Sequence, residues 1–272
     1  CTVFAHIGGR YADIKMAHDE RLERAVEVHS AWGTFEWLIE DALEQGYRVG
    51  IMSNSDGHKG RPGASHPGAT KFGSYGGLTC NLAPAFTRAG IMDAMKKRHH
   101  YGTTGCRVVL DSRVKFDSPA EHFSDDPNLG NVTSEMVSEA IMGDILKCGD
   151  KELTFCIDIH ASAPIERIDI RNGLETVEVF RPYTEEDLGS RIRVLWEGSE
   201  YRGRGRETIW DGYAELYDNS FKSLKPINRY NLDKRFDQTA PGRLDWAALT
   251  TCGFFGFYAF LDDAKAGRLK ID

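Results

Sequence analysis

The chain has 272 residues, 41% of them apolar and 28% charged, and a formal net charge of −7. That is room for one large domain or two modest ones of ordinary soluble composition. The acidic balance argues against general nucleic-acid binding, and no apolar run approaches the eighteen residues of a membrane-spanning helix.

In chain order, residues 2–5 form an apolar run that predicts a strand ending at His6 and a turn at Gly8-Gly9. Residues 24–30 alternate apolar and polar, as a strand does. A helix is predicted over 34–45, with Phe35, Leu38, Ile39, Ala42 and Leu43 on one face, Thr34 as N-cap and Gly46 just past the end. Residues 48–54 read as a buried strand, and this β-β-α-β rhythm predicts a parallel sheet or barrel. Residues 55–81, rich in Gly, Pro, Ser and His, form a long functional loop, and 87–98 a helix with Ile91, Met92 and Met95 inward. Beyond residue 105, six segments alternate like strands (108–116, 153–161, 165–172, 176–181, 191–196 and 207–217), which predicts an antiparallel sandwich or sheet. Residues 117–140, acidic and poor in large apolar groups, read as a surface excursion. The expected units are 1–105 and 106–272.

The six cysteines form no CxxC pair, so the expectation is reduced, mostly buried thiols and a reducing, cytoplasmic setting. The opening residues are no intact signal peptide. Because Cys1 leads straight into a strand-like run, the upstream sequence is expected to have been removed. A processed Cys1 nucleophile would need a base and oxyanion donors that nothing nearby supplies. No nucleophile elbow, Walker loop or dinucleotide fingerprint is present.

The strongest chemical signal is Asn54-Ser55-Asp56-Gly57-His58, directly after the 48–53 strand. A carboxylate and an imidazole two residues apart at a strand's C-terminal end can both point into a barrel mouth. Together they supply the mixed ligands that zinc, manganese or iron favour. His6 sits past another strand, and Glu27 and His29 stand at i and i+2 on a third, so His6, His29, Asp56 and His58 are the candidate ligands. Glu27 is assigned to orienting a ligand. Arg10 and Arg61 are candidate oxyanion or phosphate partners. A surface turn for Asp56-Gly57-His58 and a satisfied core position for His29 are the structural alternatives. His18 and His66 lie in polar loops, and His99-His100 is assigned a structural place after a helix.

The stretches A-H-I-G-G-R, V-E-V-H-S-A-W-G-T-F-E-W, G-Y-R-V-G-I-M-S-N-S-D-G-H-K-G-R-P-G, G-G-L-T-C and Y-G-T-T-G-C-R resemble the later portion of PHP (polymerase and histidinol phosphatase) proteins. The nearest likeness is to an uncharacterised PHP-like family of unknown function, dense over about residues 1–105. The resemblance implies the C-terminal half of a distorted (βα)7 barrel holding two or three metal ions, followed by a β-rich, sandwich-like segment. In it His6 matches a ligand histidine, Asp56 and His58 the last D-x-H pair, and Glu27 a strand glutamate. The family's opening H-x-H strand and bridging glutamate have no counterpart, so a removed or separate N-terminal piece would have to supply them. The implied activity is metal-dependent, phosphoesterase-like hydrolysis of a small, phosphorylated substrate. The rivals are a degenerate scaffold with a ligand- or partner-binding β domain, and a metal-dependent hydrolase of non-phosphate substrates.

Overall fold

The computed structural model describes residues 1–7, 12–58, 60, 75–198, 208–229, 231–250 and 253–272. The first elements are β1 (Ala25–Ser30), β2 (Gly33–Thr34), α1 (Trp37–Glu44) and β3 (Gly50–Ser53). They form a small mixed sheet in the order β2-β1-β3, with β1 parallel to β3 and α1 in the crossover between them. Val26 joins Phe35, Trp37, Leu38 and Ala42 in a buried cluster that Ile7 and Ile14 complete from the segment before β1. Helix α1 starts later than its sequence suggests. Thr34, the expected cap, pairs with His29 in the sheet, and its hydroxyl is taken by the His29 ring at 2.7 Å. The helix ends as read, with Gly46 at φ +72°, its N–H on Leu43 O and the Tyr47 N–H on Ala42 O. That doubled closure is the Schellman arrangement, for which glycine pays no Cβ penalty. Residues 2–5 are not a strand; they run alongside β1 as irregular chain, with the Val3 N–H on Leu22 O.

Next come β4 (Leu78–Asn81), α2 (Arg88–Lys96) and β5 (His100–Thr103). Strands β4 and β5 pair antiparallel, and Thr87 caps α2 by accepting from the Gly90 N–H at 3.0 Å. The Thr79 hydroxyl locks this ribbon to β3, accepting from the Ser53 N–H and donating to Ser53 O.

The middle of the chain centres on β6 (Val109–Phe123), fifteen residues long. It pairs antiparallel with β7 (Ser134–Ile141), β8 (Ile145–Lys147) and β9 (Leu153–His160). Residues expected to form a surface excursion are therefore largely strand. Their acidic members serve as ion-pair partners: Asp125 receives both guanidinium nitrogens of Arg24, and Asp126 receives Arg48 at 2.7 Å. Strands β10 (Ile168–Asn172) and β11 (Glu175–Phe180) form a separate hairpin. After α3 (Glu185–Leu188), β12 (Arg191–Glu197), β13 (Thr208–Tyr217), β14 (Phe221–Ile227), β15 (Phe236–Ala240), β16 (Arg243–Thr250), β17 (Phe254–Leu261) and β18 (Arg268–Ile271) build two sheets, β12-β17-β14 and β15-β16-β13-β18. Leu244 and Trp246 of one meet Phe257 and Ala259 of the other in a second buried cluster. Trp196 stacks on Trp246 with ring centroids 4.6 Å apart.

The half-barrel expectation is overturned. Strands make up 47% of the chain and helices 10%, in several sheets with no barrel of helix–strand repeats. A barrel needs parallel strands joined by helical crossovers. Among the described strands only β1 and β3 are parallel, and α2 connects two strands that pair antiparallel. The thiols also depart from expectation. Cys1, Cys80, Cys106, Cys148 and Cys156 are free, but Cys1, Cys106 and Cys156 are exposed and the other two half-buried.

Candidate functional site

At the C-terminal ends of β1 and β3 the structure gathers His6, Glu27, Asn54, Asp56 and His58. Glu27 is the anchor, 1% exposed on β1. Its Oε2 accepts the Ile7 N–H at 2.7 Å and lies 2.6 Å from His6 Nδ1, while its Oε1 accepts the Asn54 side-chain amide at 2.7 Å. A carboxylate that takes these bonds as an acceptor assigns the proton to Nδ1 of His6, leaving Nε2 as the ring's basic nitrogen. That nitrogen is turned to Asp56 Oδ2 at 3.5 Å. His58 Nε2 stands 3.8 Å from the other Asp56 oxygen, on a side chain 66% exposed.

Asp56 carries the tension of the site. Its backbone lies at φ +42°, a region side-chain-bearing residues seldom occupy, and its Oδ2 is buried with no hydrogen-bond partner among the described residues. Burying a carboxylate oxygen unpaired costs free energy that an adjacent cation would remove. Imidazole plus carboxylate is a donor set that suits zinc, manganese or iron. The residues present thus fit part of a divalent-metal site. Among the described residues, no group of three or more His, Cys, Asp or Glu side chains forms a complete metal cage.

His29 is not brought into this group. Its Nδ1 meets the Thr34 hydroxyl and its Nε2 donates to Tyr75 O at 2.8 Å, so both nitrogens are spent inside the fold. Burial pushes its pKa down, against the opposing pull of the Tyr75 carbonyl and of Glu27. The expectation that Glu27 and His29 share a face assumed regular alternation. The β1–β3 register shifts between those two residues, and the His29 ring is engaged by Thr34 and Tyr75. Arg10, Arg61 and His66 lie outside the described residues. His18 is buried against Tyr47, ring centroids 3.9 Å apart, with Nδ1 3.2 Å from Glu23, away from the cluster. His100 packs under β3 with Nδ1 donating to Ile51 O, and His99 reaches Asp144 at 2.8 Å; both hold the fold together.

Sequence reasoning quoted Asn54 without assigning it a role. Its signal was position: it follows the last strand residue and precedes the D-x-H pair. Its amide holds Glu27 Oε1, and its backbone N–H donates to His29 O, tying the loop to β1.

No described helix is long and apolar enough to cross a membrane. No curated protein and no solved structure matches the chain. Residues 54–178, less than half of the chain, match a family described as "Protein of unknown function (DUF3604)", and the matched stretch opens on Asn54 and takes in Asp56 and His58.

Proposed function

We propose that this chain carries part of a divalent-metal site and serves a metal-dependent hydrolase of phosphoesterase-like type, with His6, Asp56 and His58 as ligands. The observation that carries the reading is the half-buried Asp56 carboxylate, whose Oδ2 is buried, has no hydrogen-bond partner among the described residues and is turned to the basic nitrogen of His6. When bound, an ion there would lower the pKa of a coordinated water to about 7 and polarise a scissile oxygen. The chain's own residues prepare that site. Glu27 fixes the His6 tautomer and ring plane, as carboxylates behind ligand histidines do. Asn54 and the Ile7 N–H hold Glu27 in turn. Arg10 and Arg61 are assigned, from sequence, to neutralising charge on the substrate. The remaining ligands come from outside the described residues. The phosphoester preference rests on the PHP resemblance, which is fold-independent only in its motif residues.

The test measures bound metal by elemental analysis and hydrolysis of p-nitrophenyl phosphate, for the unmodified protein and for Asp56→Ala, His58→Ala. Near-stoichiometric transition metal and metal-dependent turnover, both lost in the double variant, are expected. Unchanged metal content and turnover in the variant overturn the assignment. Bound metal without phosphoester cleavage transfers the reading to a hydrolase of other substrates, and absence of metal leaves the scaffold reading.

A further inference from the structure

A second concavity, of about 710 Å³, lies between the β4–β5 ribbon and the start of β6, and none of the His6–Asp56 cluster lines it. Its volume falls within the range of small-molecule sites, roughly 300–1,000 Å³. Leu78, Leu82, Val108, Leu110 and Ile141 give it an apolar wall. The polar groups in that wall are spent on the protein itself. The Tyr101 hydroxyl donates to Val108 O at 2.6 Å and accepts the Leu110 N–H, and the Thr103 hydroxyl donates to Cys106 O at 2.7 Å. Satisfied in this way, they present carbon rather than hydrogen-bonding capacity to an occupant.

Charge at the rim sets the other half of the recognition. Arg113 is committed, with Nε on Asp111 and Nη1 on Glu139 at 3.0 Å. Arg107 also lines the groove, is exposed, and makes no hydrogen bond or ion pair among the described residues. The charge left over at the mouth is therefore one guanidinium, whose planar fork matches one carboxylate.

We propose that this groove is a binding site for a small amphipathic carboxylate, its apolar part against Leu78, Leu82 and Leu110 and its carboxylate on Arg107. Two free thiols, Cys80 and Cys106, line the same groove, while the free thiols Cys1 and Cys156 do not. The protein thus carries its own occupancy reporters and its own controls.

The experiment titrates the full chain with decanoate, with decanol and acetate as partial mimics, following heat of binding and the per-site rate of iodoacetamide alkylation by mass spectrometry. Decanoate is expected to bind once per chain and to slow alkylation of Cys106 and Cys80 while Cys1 and Cys156 react at unchanged rates. Decanol and acetate bind more weakly, and Arg107→Ala weakens decanoate about fivefold, the scale of an exposed ion pair. Arg107 is exposed and has no partner among the described residues, so its removal leaves the fold intact, which circular dichroism checks. Unslowed alkylation of Cys106 at saturating decanoate overturns the proposal. So does an affinity that decanol equals and Arg107→Ala leaves unchanged.

Discussion

His6 Nδ1 lies 2.6 Å from Glu27 Oε2, and the same oxygen accepts the N–H of Ile7, the next residue in the chain. One buried carboxylate therefore fixes both the ring of His6 and the backbone beside it. With Asn54 on its other oxygen, Glu27 meets three donors. Glu27→Ala strands all three and is expected to cost about 3 kcal/mol of stability, read as a lower urea midpoint at unchanged slope. A loss under about 1 kcal/mol would show that the carboxylate is not the anchor described.

Glu27→Gln separates stability from ligation. It keeps the shape but offers one carbonyl oxygen where two acceptors stood. On the metal-site reading it weakens zinc about 10- to 100-fold, the usual effect of losing the partner behind a ligand histidine. A zinc titration that matches the unmodified protein counts against a positioning role for Glu27.

Acid should act in two separate windows. Burial lowers the pKa of His29 and His100 below their ordinary 6.5, and each stays neutral in the fold. The unfolded chain binds those protons more readily, so the stability they protect is complete above about pH 6.5 and drains as pH falls below it. Asp144 behaves differently. Burial alone would raise it, but the His99 ring and the Ile141 N–H hold its carboxyl below the usual range. Its contribution persists above the ordinary value of 3.8 and is lost only as pH falls further. Urea midpoints taken from pH 8 to pH 3 should fall in both windows, and His100→Gln should flatten the first. A midpoint that rises between pH 7 and pH 5 contradicts the assignment.

Gly143, at φ +94°, lies where a Cβ would fall on the backbone of Arg98 and within 2.7 Å of Lys97 O. Neither obstacle is a flexible side-chain end. Gly143→Ala should therefore cost more than about 2 kcal/mol, combining backbone strain with overpacking. Gly173→Ala, also at positive φ but with open space around its Cβ, isolates the strain component alone. Equal losses in the two variants would remove the close-approach argument.

The parts of the structure legible in the sequence were those fixed by local rules. The alternation of Val26 and Val28 and the glycine after α1 each placed an element within a few residues. His6 and Asp56 do lie near one another, but not for the reason the sequence suggested: His6 is on irregular chain, held by the Glu27 carboxylate of β1, and only Asp56 follows a strand end. What misled was pairing direction. Nothing in residues 78–103 distinguishes a ribbon that closes on itself from one more parallel crossover, and the likeness to a barrel family filled that gap. For His29 the sequence left ligation and a satisfied core position open, and the bonds of its ring to Thr34 and Tyr75 favour the core position. Residues 117–140 looked loose because the partners that explain their acidity, Arg24 and Arg48, lie far away in the chain. The last five strands were not predicted, although Phe254–Leu261 alternates buried and exposed residues along much of its length.

The ion pairs and the hydrogen bond that cross residue 105 bear on how this chain can be cut. Arg24 and Arg48 find their carboxylates at Asp125 and Asp126, Arg98 donates to Gly143 O, and His99 meets Asp144. A chimera joined at 105/106 would leave four basic side chains facing a foreign surface. Recombination there would succeed only if the new neighbour offered acceptors in the same places, so a cut at 105/106 would separate side chains from the partners that satisfy them.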